Sequence, residues 1–457
     1  MADSTNNPSI GTENKMGVMP IRRLIISMSF PAMISMIVAA LYNIVESIFV
    51  ASISEAAMAA ITLVFPVQMM QVSFAVGTGV GLNSLISRRL GEKRQKEADS
   101  AASHGFVIAL INWAIFAAFG IFFAKGFIGL FTNDPFILEN ATVYCRIVVI
   151  GSLFQFVSVC CERILQATGN MLFPMIFNLT GAVLNIVLSP ILILGLFGFP
   201  KLGVMGAGLA CISCQFVAMV IALILVFRFK HHVHIRFRGF RVHGDTLRDI
   251  YAVGVPSIVM LSIGSIMIAG LNAILIGYSA AAVAVLGVYF RLNSFIFMPV
   301  FGLNQGSLPV MGYNYGAKNR QRLISAYKTA VTIAVTIMAI GTAIFWIFPR
   351  QLMMLFSATP EMMEIGLPAL RIISLCFVSA AFSIVTSGMF QALAHGLLSM
   401  LVSLLRQLIL VVPLTYLLLR YMGIAFSWAS FPLAEFLSLI LTVCFLRYIY
   451  KKEIKSL

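Results

Sequence analysis

The stretch GTGVGLNSLISRRLGEK, Gly77 to Lys93, is answered 225 residues later by GLNQGSLPVMGYNYGAK, Gly302 to Lys318. Gly77, Gly81, Gly91 and Lys93 fall on Gly302, Gly306, Gly316 and Lys318 without a gap. The same offset puts Pro31 on Pro256, Pro135 on Pro360, Glu139 on Glu364, Arg146 on Arg371, and Gln166-Ala167 on Gln391-Ala392. Matches of Leu, Ile or Ala carry little weight in an apolar chain, so the inference rests on scarce residue types recurring at one spacing. The chain is one unit written twice, and duplicated apolar halves are a common plan among transporters.

Composition places both copies in a membrane. With 60% hydrophobic residues, 10% charged and a mean hydropathy of +0.99, the chain lies far from soluble proteins, in which roughly a quarter of residues are charged. The net charge of +15 does not indicate nucleic acid, because the basic residues sit in short loops between apolar runs and not along a solvated face. Runs of about 20 apolar residues read as twelve helices between residues 24 and 447, six in each half. The expected fold is an all-α integral membrane protein of two six-helix bundles.

Charge sets the expected orientation. Of the 31 Lys and Arg, 22 lie in the N-terminal tail, the second, sixth and eighth connections and the C-terminus, while the opposite connections hold only Lys125, Lys201, Arg350 and Arg420. The positive-inside rule then places both termini in the cytoplasm. The segment Met1 to Gly17 is polar and lacks the apolar core of a cleaved signal peptide. An even number of spans per half makes both halves enter in the same direction, related by a pseudo-twofold axis along the membrane normal. The expected divisions are a tail at 1–17, a bundle at 18–229, a basic linker at 230–247, a bundle at 248–450 and a basic tail at 451–457.

Ionisable residues inside apolar spans are costly and are functional candidates by default. Those left here are Glu46, Arg146, Glu162 with Arg163, Arg291, Arg371, Arg406 and Glu435. Arg146 and Arg371 repeat at the offset, each seven residues after a Glu, which points to a shared structural role. Glu162 and Arg163 close the fourth apolar run, where they are expected to reach water. Glu46 has Leu271 as its counterpart, so this acid belongs to one half only. Tyr42 and Asn43 lie one turn before it. On the fifth span Asn178, Asn185 and Ser189, spaced by seven and four, form one helical stripe. That stripe reads either as a polar pocket with Glu46 or as interhelical hydrogen bonding. Glu435 on the last span has two readings as well, contact with a cationic substrate or pairing with Arg406 or Arg291.

Several apparent motifs carry no chemistry. The run Gly77-Thr78-Gly79-Val80-Gly81 imitates a nucleotide loop but lies inside an apolar span with no strand before it, and close helix packing explains it. Cys211 and Cys214 have C-x-x-C spacing without a second pair or nearby His to complete a metal site, and they read as small packing residues. The His-rich linker reads as a solvated loop. No Walker loop, catalytic triad or metal-ligand motif is present, so neither an enzyme nor a resident cofactor is expected, and uphill transport would draw on an ion gradient or on a separate partner.

Four stretches together carry a family resemblance: YNIVESIFVA from Tyr42, GVGLNSLISRRLGEKR from Gly79, NIVLSPILILGLFGFPKLGVMGAGLA from Asn185, and FGLNQGSLPVMGYNYGAKNRQR from Phe301. Through them nearly the whole chain resembles the multidrug and toxic compound extrusion (MATE) transporters, in particular the bacterial MepA-like branch. The resemblance implies an efflux protein that alternates between inward-facing and outward-facing states, exchanging an entering proton or sodium ion for lipophilic organic cations and drugs. It maps the family's first-helix acid, usually Asp, to Glu46, and an Asn and Asp four apart to Asn185 and Ser189. The second acid is therefore missing. A sodium site gains from two carboxylates, whereas a proton needs one whose affinity burial raises, so protons are the expected coupling ion and sodium the alternative. Substrate contacts are expected at Glu46, Asn178, Arg291 and Glu435, with membrane lipids the other contacts and no obligate protein partner. A flippase for a lipid-linked saccharide, of related fold, is the rival reading; it requires a cavity lined by several Arg or Lys.

Overall fold

The computed structural model describes residues 14–51, 54–229, 232–235 and 241–457, with the side chains of 42–48, 50, 51 and 55 outside the description. Six helices form the first half: α1 (Ile21–Ala51), α2 (Glu55–Gly91), α3 (Gln95–Phe122), α4 (Pro135–Ala167), α5 (Leu172–Leu194) and α6 (Gly203–Arg228). The second half repeats them as α7 (Gly244–Ile276), α8 (Ala280–Gly316), α9 (Arg320–Ile347), α10, α11 (Gly396–Met422) and α12 (Ile424–Ser456). Here α10 is a bent pair, Pro360–Ser374 and Phe377–Ala392, meeting at 48°. Among the described residues, eleven helices are individually long and apolar enough to cross a membrane, and the bent pair makes the twelfth.

The repeated residues are the ones that start and stop these helices. Ser54 and Ser279 both cap the helix that follows, their hydroxyls accepting from Ala57 N and Ala282 N at 3.1 Å. Pro135 and Pro360 occupy first-turn positions behind the caps Asp134 and Thr359, where the missing N–H costs nothing. Lys93 and Lys318 leave α2 and α8 with φ of 60° and 53°, so even the left-handed turn is duplicated.

The glycines of the opening motif form the seam between the halves. A Cβ on Gly77 would lie 2.7 Å from Ile258 N, and one on Gly302 would lie 2.7 Å from Met33 N. A Cβ on Gly81 would lie 2.1 Å from the Ile250 carbonyl oxygen and one on Gly306 2.6 Å from Ser29 Cα, while those on Gly91 and Gly316 would lie 2.0 and 2.1 Å from the carbonyl oxygens of Tyr313 and Arg88. The Gly77 and Gly302 contacts are symmetry mates at the same offset, as are those of Gly91 and Gly316, and the Gly306 contact with Ser29 matches a Gly81 contact with Gly254. Backbones this close leave no room for a side chain, as at other small-residue interfaces between membrane helices. So α2 packs along α7, and α1 along α8. The exchange reaches the cores, for Ile25 is buried in the core of the second half and Ile250 in that of the first.

The seam lies at the basic end of both bundles. A short helix, Lys15–Val18, sits beneath it with Met16 fully buried. Arg322 donates to the carbonyls of Met16 and Met19 at 3.0 and 2.8 Å, and Asn314 donates to Met16 O at 3.2 Å. Asn14 reaches across to Thr168 O at 3.4 Å. This segment thereby ties the end of α4 to α8 and α9.

Candidate transport site between the bundles

A cavity of about 730 Å³ lies between the two halves, on the side of the seam away from the basic end. Seam and cavity alternate along the same helices. Gly77 and Gly81 of α2 pack against α7, and Val72, Val76 and Val80 line the cavity; Gly302 and Gly306 of α8 pack against α1, and Met298, Phe301 and Asn304 line it. The wall is mostly apolar, built from Val, Met, Phe and Ala, with the amides Gln155, Asn178, Asn185, Gln305 and Gln407 set into it. Most ligand sites share this composition, a broad apolar surface with a few placed polar groups.

One acid of the first half lies on the wall. Glu162 accepts from Gln166 Nε2 at 2.8 Å and from Asn178 Nδ2 at 3.3 Å, and its carboxylate lies 3.7 Å from Arg163 Nη2. Arg163 also donates to Gln166 Oε1 at 3.0 Å. Both charged residues are buried, with Glu162 8% and Arg163 3% exposed, which corrects the expectation that they reach water. The reason is that α4 runs on to Ala167, beyond the end of its apolar run, and α2 packs over the extension. A buried pair is held by its hydrogen bonds as much as by its charge, and here two amides satisfy the carboxylate.

The second half answers with a different pair. Glu435 on α12 accepts from Ser383 Oγ at 2.8 Å and from Arg406 Nη1 at 3.2 Å. Of the two readings open for Glu435, the structure therefore contains the pairing with Arg406. Arg406 lies on the cavity wall, while Glu435 is buried behind it. The guanidinium is presented from a π-helical stretch, Leu405–Val411, within α11. Such widened turns shift the side-chain register inside an otherwise regular helix and recur at functional sites.

The other sequence candidates fall into three groups. Asn178 and Asn185 line the cavity, and Ser189, 1% exposed, donates to Asn185 Oδ1 at 2.9 Å. Arg291 is exposed on α8 and is not among the lining residues, though it lies two turns before Met298 on the same helical stripe. The side chains of Tyr42, Asn43 and Glu46 lie outside the described residues. Four wall residues were named in the sequence without being given a place in the site. Glu162 had a usable signal in Gln166, one helical turn on. Arg406 had one in its place among the ionisable residues of the spans, and Cys211 with Cys214, taken as packing residues, are buried on the cavity wall itself.

Two pseudosymmetric helical bundles enclosing a sealed-ended cavity within the membrane define a membrane transporter. The MatE family model matches residues 31–191 and 256–417, one match in each half at the same offset, and the chain belongs to that family, the MATE transporters, of the MepA-like type. Members are transporters and not enzymes. The chain is 23% identical over 403 residues to the probable multidrug resistance protein YoeA of Bacillus subtilis, covering 87% of each. It is 24% identical over 418 residues to the multidrug export protein MepA of Staphylococcus aureus, covering 91% of each. A solved multidrug resistance MATE transporter in an outward-facing conformation superposes with a TM-score of 0.91 at 27% identity, over 100% of both chains.

Proposed function

We propose that the chain exports lipophilic organic cations and related xenobiotics across the bacterial inner membrane in exchange for protons, by alternating access. The observation that carries this reading is the apolar cavity shared by both halves, with the carboxylate of Glu162 and the amide of Asn178 together on its wall. A flat aromatic cation gains from apolar burial and from one negative group, and a cavity of this size suits a drug-sized molecule. The multidrug names of YoeA and MepA point the same way. Bundles at 18–229 and 248–450 would rock about the linker at 230–247, with both termini cytoplasmic as the basic loops require.

Coupling is assigned to Glu46, with Tyr42, Asn43, Asn185 and Ser189 around it. Support for this set is the buried Asn185–Ser189 pair beside the cavity and the restriction of the acid to one half. Deprotonated Glu46 favours the state that holds the cation, and protonation from outside favours its release. A ligand drives such a cycle only through different affinities for the two states. For the substrate, Glu46, Glu162 and Asn178 are the assigned contacts, while Glu435 is committed to Arg406.

The test is efflux of ethidium or tetraphenylphosphonium in proteoliposomes with imposed proton or sodium gradients, comparing wild type with Glu46→Gln. Proton-driven exchange in the wild type and its loss in the variant are expected. Exchange driven by sodium alone overturns the choice of ion, and intact exchange in Glu46→Gln overturns the coupling role. A protein that moves no organic cation under either gradient is not a multidrug exporter.

A further inference from the structure

A second cavity of about 310 Å³ opens on the outside of the second bundle at its basic end, between α9 and α12. Its floor is apolar, with Ile324, Tyr327 and Leu446 half-buried over the covered Leu323 and Ile454, and its rim carries Lys328, Arg447 and Lys451. All three cations are exposed, and none of the ion pairs among the described residues includes any of them.

The 225-residue offset supplies the comparison. In the first bundle the counterparts of Leu323, Lys328, Arg447 and Lys451 are Ala98, Ser103, Ala222 and Val226, all of them buried. The counterpart of the groove residue Ile324 is Asp99, whose carboxylate accepts from His234 N at 2.8 Å. Gln95 in turn donates to the carbonyl of His232. Val233, held between these two anchors, is buried in the core of the first bundle. Residues 232–234 thus close on the first bundle at this place. On the second bundle Ile324, Tyr327 and Leu446 are only half-buried, and Ser103, Ala222 and Val226 of the first bundle are replaced by the cations Lys328, Arg447 and Lys451.

We propose that this groove binds an anionic phospholipid of the surrounding leaflet, with the headgroup phosphate among Lys328, Arg447 and Lys451 and an acyl chain along Ile324 and Leu446. The apolar floor has no use for a soluble anion, and the unpaired positive rim has no use for a zwitterionic lipid. A second copy of this chain docked symmetrically would bring the two positive rims together, which is repulsive. Basic pockets between helix ends at the positive face of a membrane protein recognise anionic headgroups. The lipid braces α9 against α12 as the linker braces the first bundle.

The full chain, purified in detergent, is titrated with dioleoyl phosphatidylglycerol or dioleoyl phosphatidylcholine, with retained lipid read by native mass spectrometry and stability by melting temperature. The wild type is expected to retain phosphatidylglycerol saturably, and to melt higher with it, but not with phosphatidylcholine. Each cation near an anionic headgroup contributes roughly fivefold in affinity, so K328Q/R447Q/K451Q weakens retention on the order of a hundredfold at low salt. The variant K452Q/K455Q, which removes two exposed cations outside the groove, leaves retention unchanged. Ile324→Trp fills the floor and blocks retention while every rim charge stays in place. Equal retention of the two lipids by wild type, equal phosphatidylglycerol retention by wild type and the triple variant, or a dimer that the triple variant abolishes without any lipid effect would each overturn the proposal.

Discussion

Gly81→Ala tests whether the glycine seam is the closing surface of the basic end. The new Cβ would sit 2.1 Å from the Ile250 carbonyl oxygen and 3.0 Å from Gly254 N, where ordinary contact begins at 3.4 Å. Both neighbours are backbone atoms and cannot swing aside. The clash is relieved only if α2 and α7 move apart by about an ångström, and overpacking of this kind costs about 1–3 kcal/mol. A conformer in which the seam has opened carries none of that cost. The closed-to-open ratio at the basic end therefore falls by roughly fivefold to a hundredfold. Spin labels at Arg94→Cys and Arg248→Cys, on opposite halves in a background lacking exposed Cys444, report the separation by double electron–electron resonance. Gly302→Ala, whose Cβ would lie 2.6 Å from Met33 Cα, shifts the distribution likewise, whereas Gly254→Ala, first meeting Thr78 Cα at 3.4 Å, leaves it unchanged. An unchanged distribution in Gly81→Ala and Gly302→Ala refutes the reasoning.

Three further outcomes follow from the packing. Glu435→Gln strands the Arg406 guanidinium, whose side chain is 21% exposed, and lowers thermal stability by about 3 kcal/mol; replacing both partners by Leu and Met costs distinctly less, and equal losses in the single and double variants would count against a buried pair. Glu162→Gln keeps the bond from Asn178 but removes the charge, and weakens binding of tetraphenylphosphonium at least tenfold while sparing a neutral analogue of the same size, as measured by equilibrium dialysis. Arg322→Gln deletes the donors to Met16 and Met19, each worth about 1.5–3 kcal/mol as charged bonds, and exposes the segment before α1 to limited proteolysis at a rate at least tenfold faster; an unchanged rate would mean that Asn14 and Asn314 alone hold it.

Much of the architecture was legible because one-dimensional signals carried it. Apolar runs set the spans, and Ser54 with Ser279 and Pro135 with Pro360 mark starts that depend on residues adjacent in the chain. Where α4 ends was not legible. Hydropathy stops at Arg163, but a helix whose end is covered by α2 continues to Ala167, and that continuation carries Glu162 from expected solvent to the cavity wall. The sequence could not separate pairing from substrate contact at Glu435, because the side of α12 that faces Arg406 depends on how the π-helical stretch turns α11.

By itself, then, the sequence determined that this is a duplicated twelve-helix membrane protein, since hydropathy and an offset of rare residues are properties of the chain read in order. It also singled out the repeated glycines. Only the tertiary structure decided what they do, because a glycine permits close approach without naming the partner, and the partners here come from the other half of the chain. The pairing of Gly81 with Ile250 and of Gly302 with Met33 makes the seam, the seam closes one end of the cavity, and the cavity selects which polar residues of the spans meet a substrate.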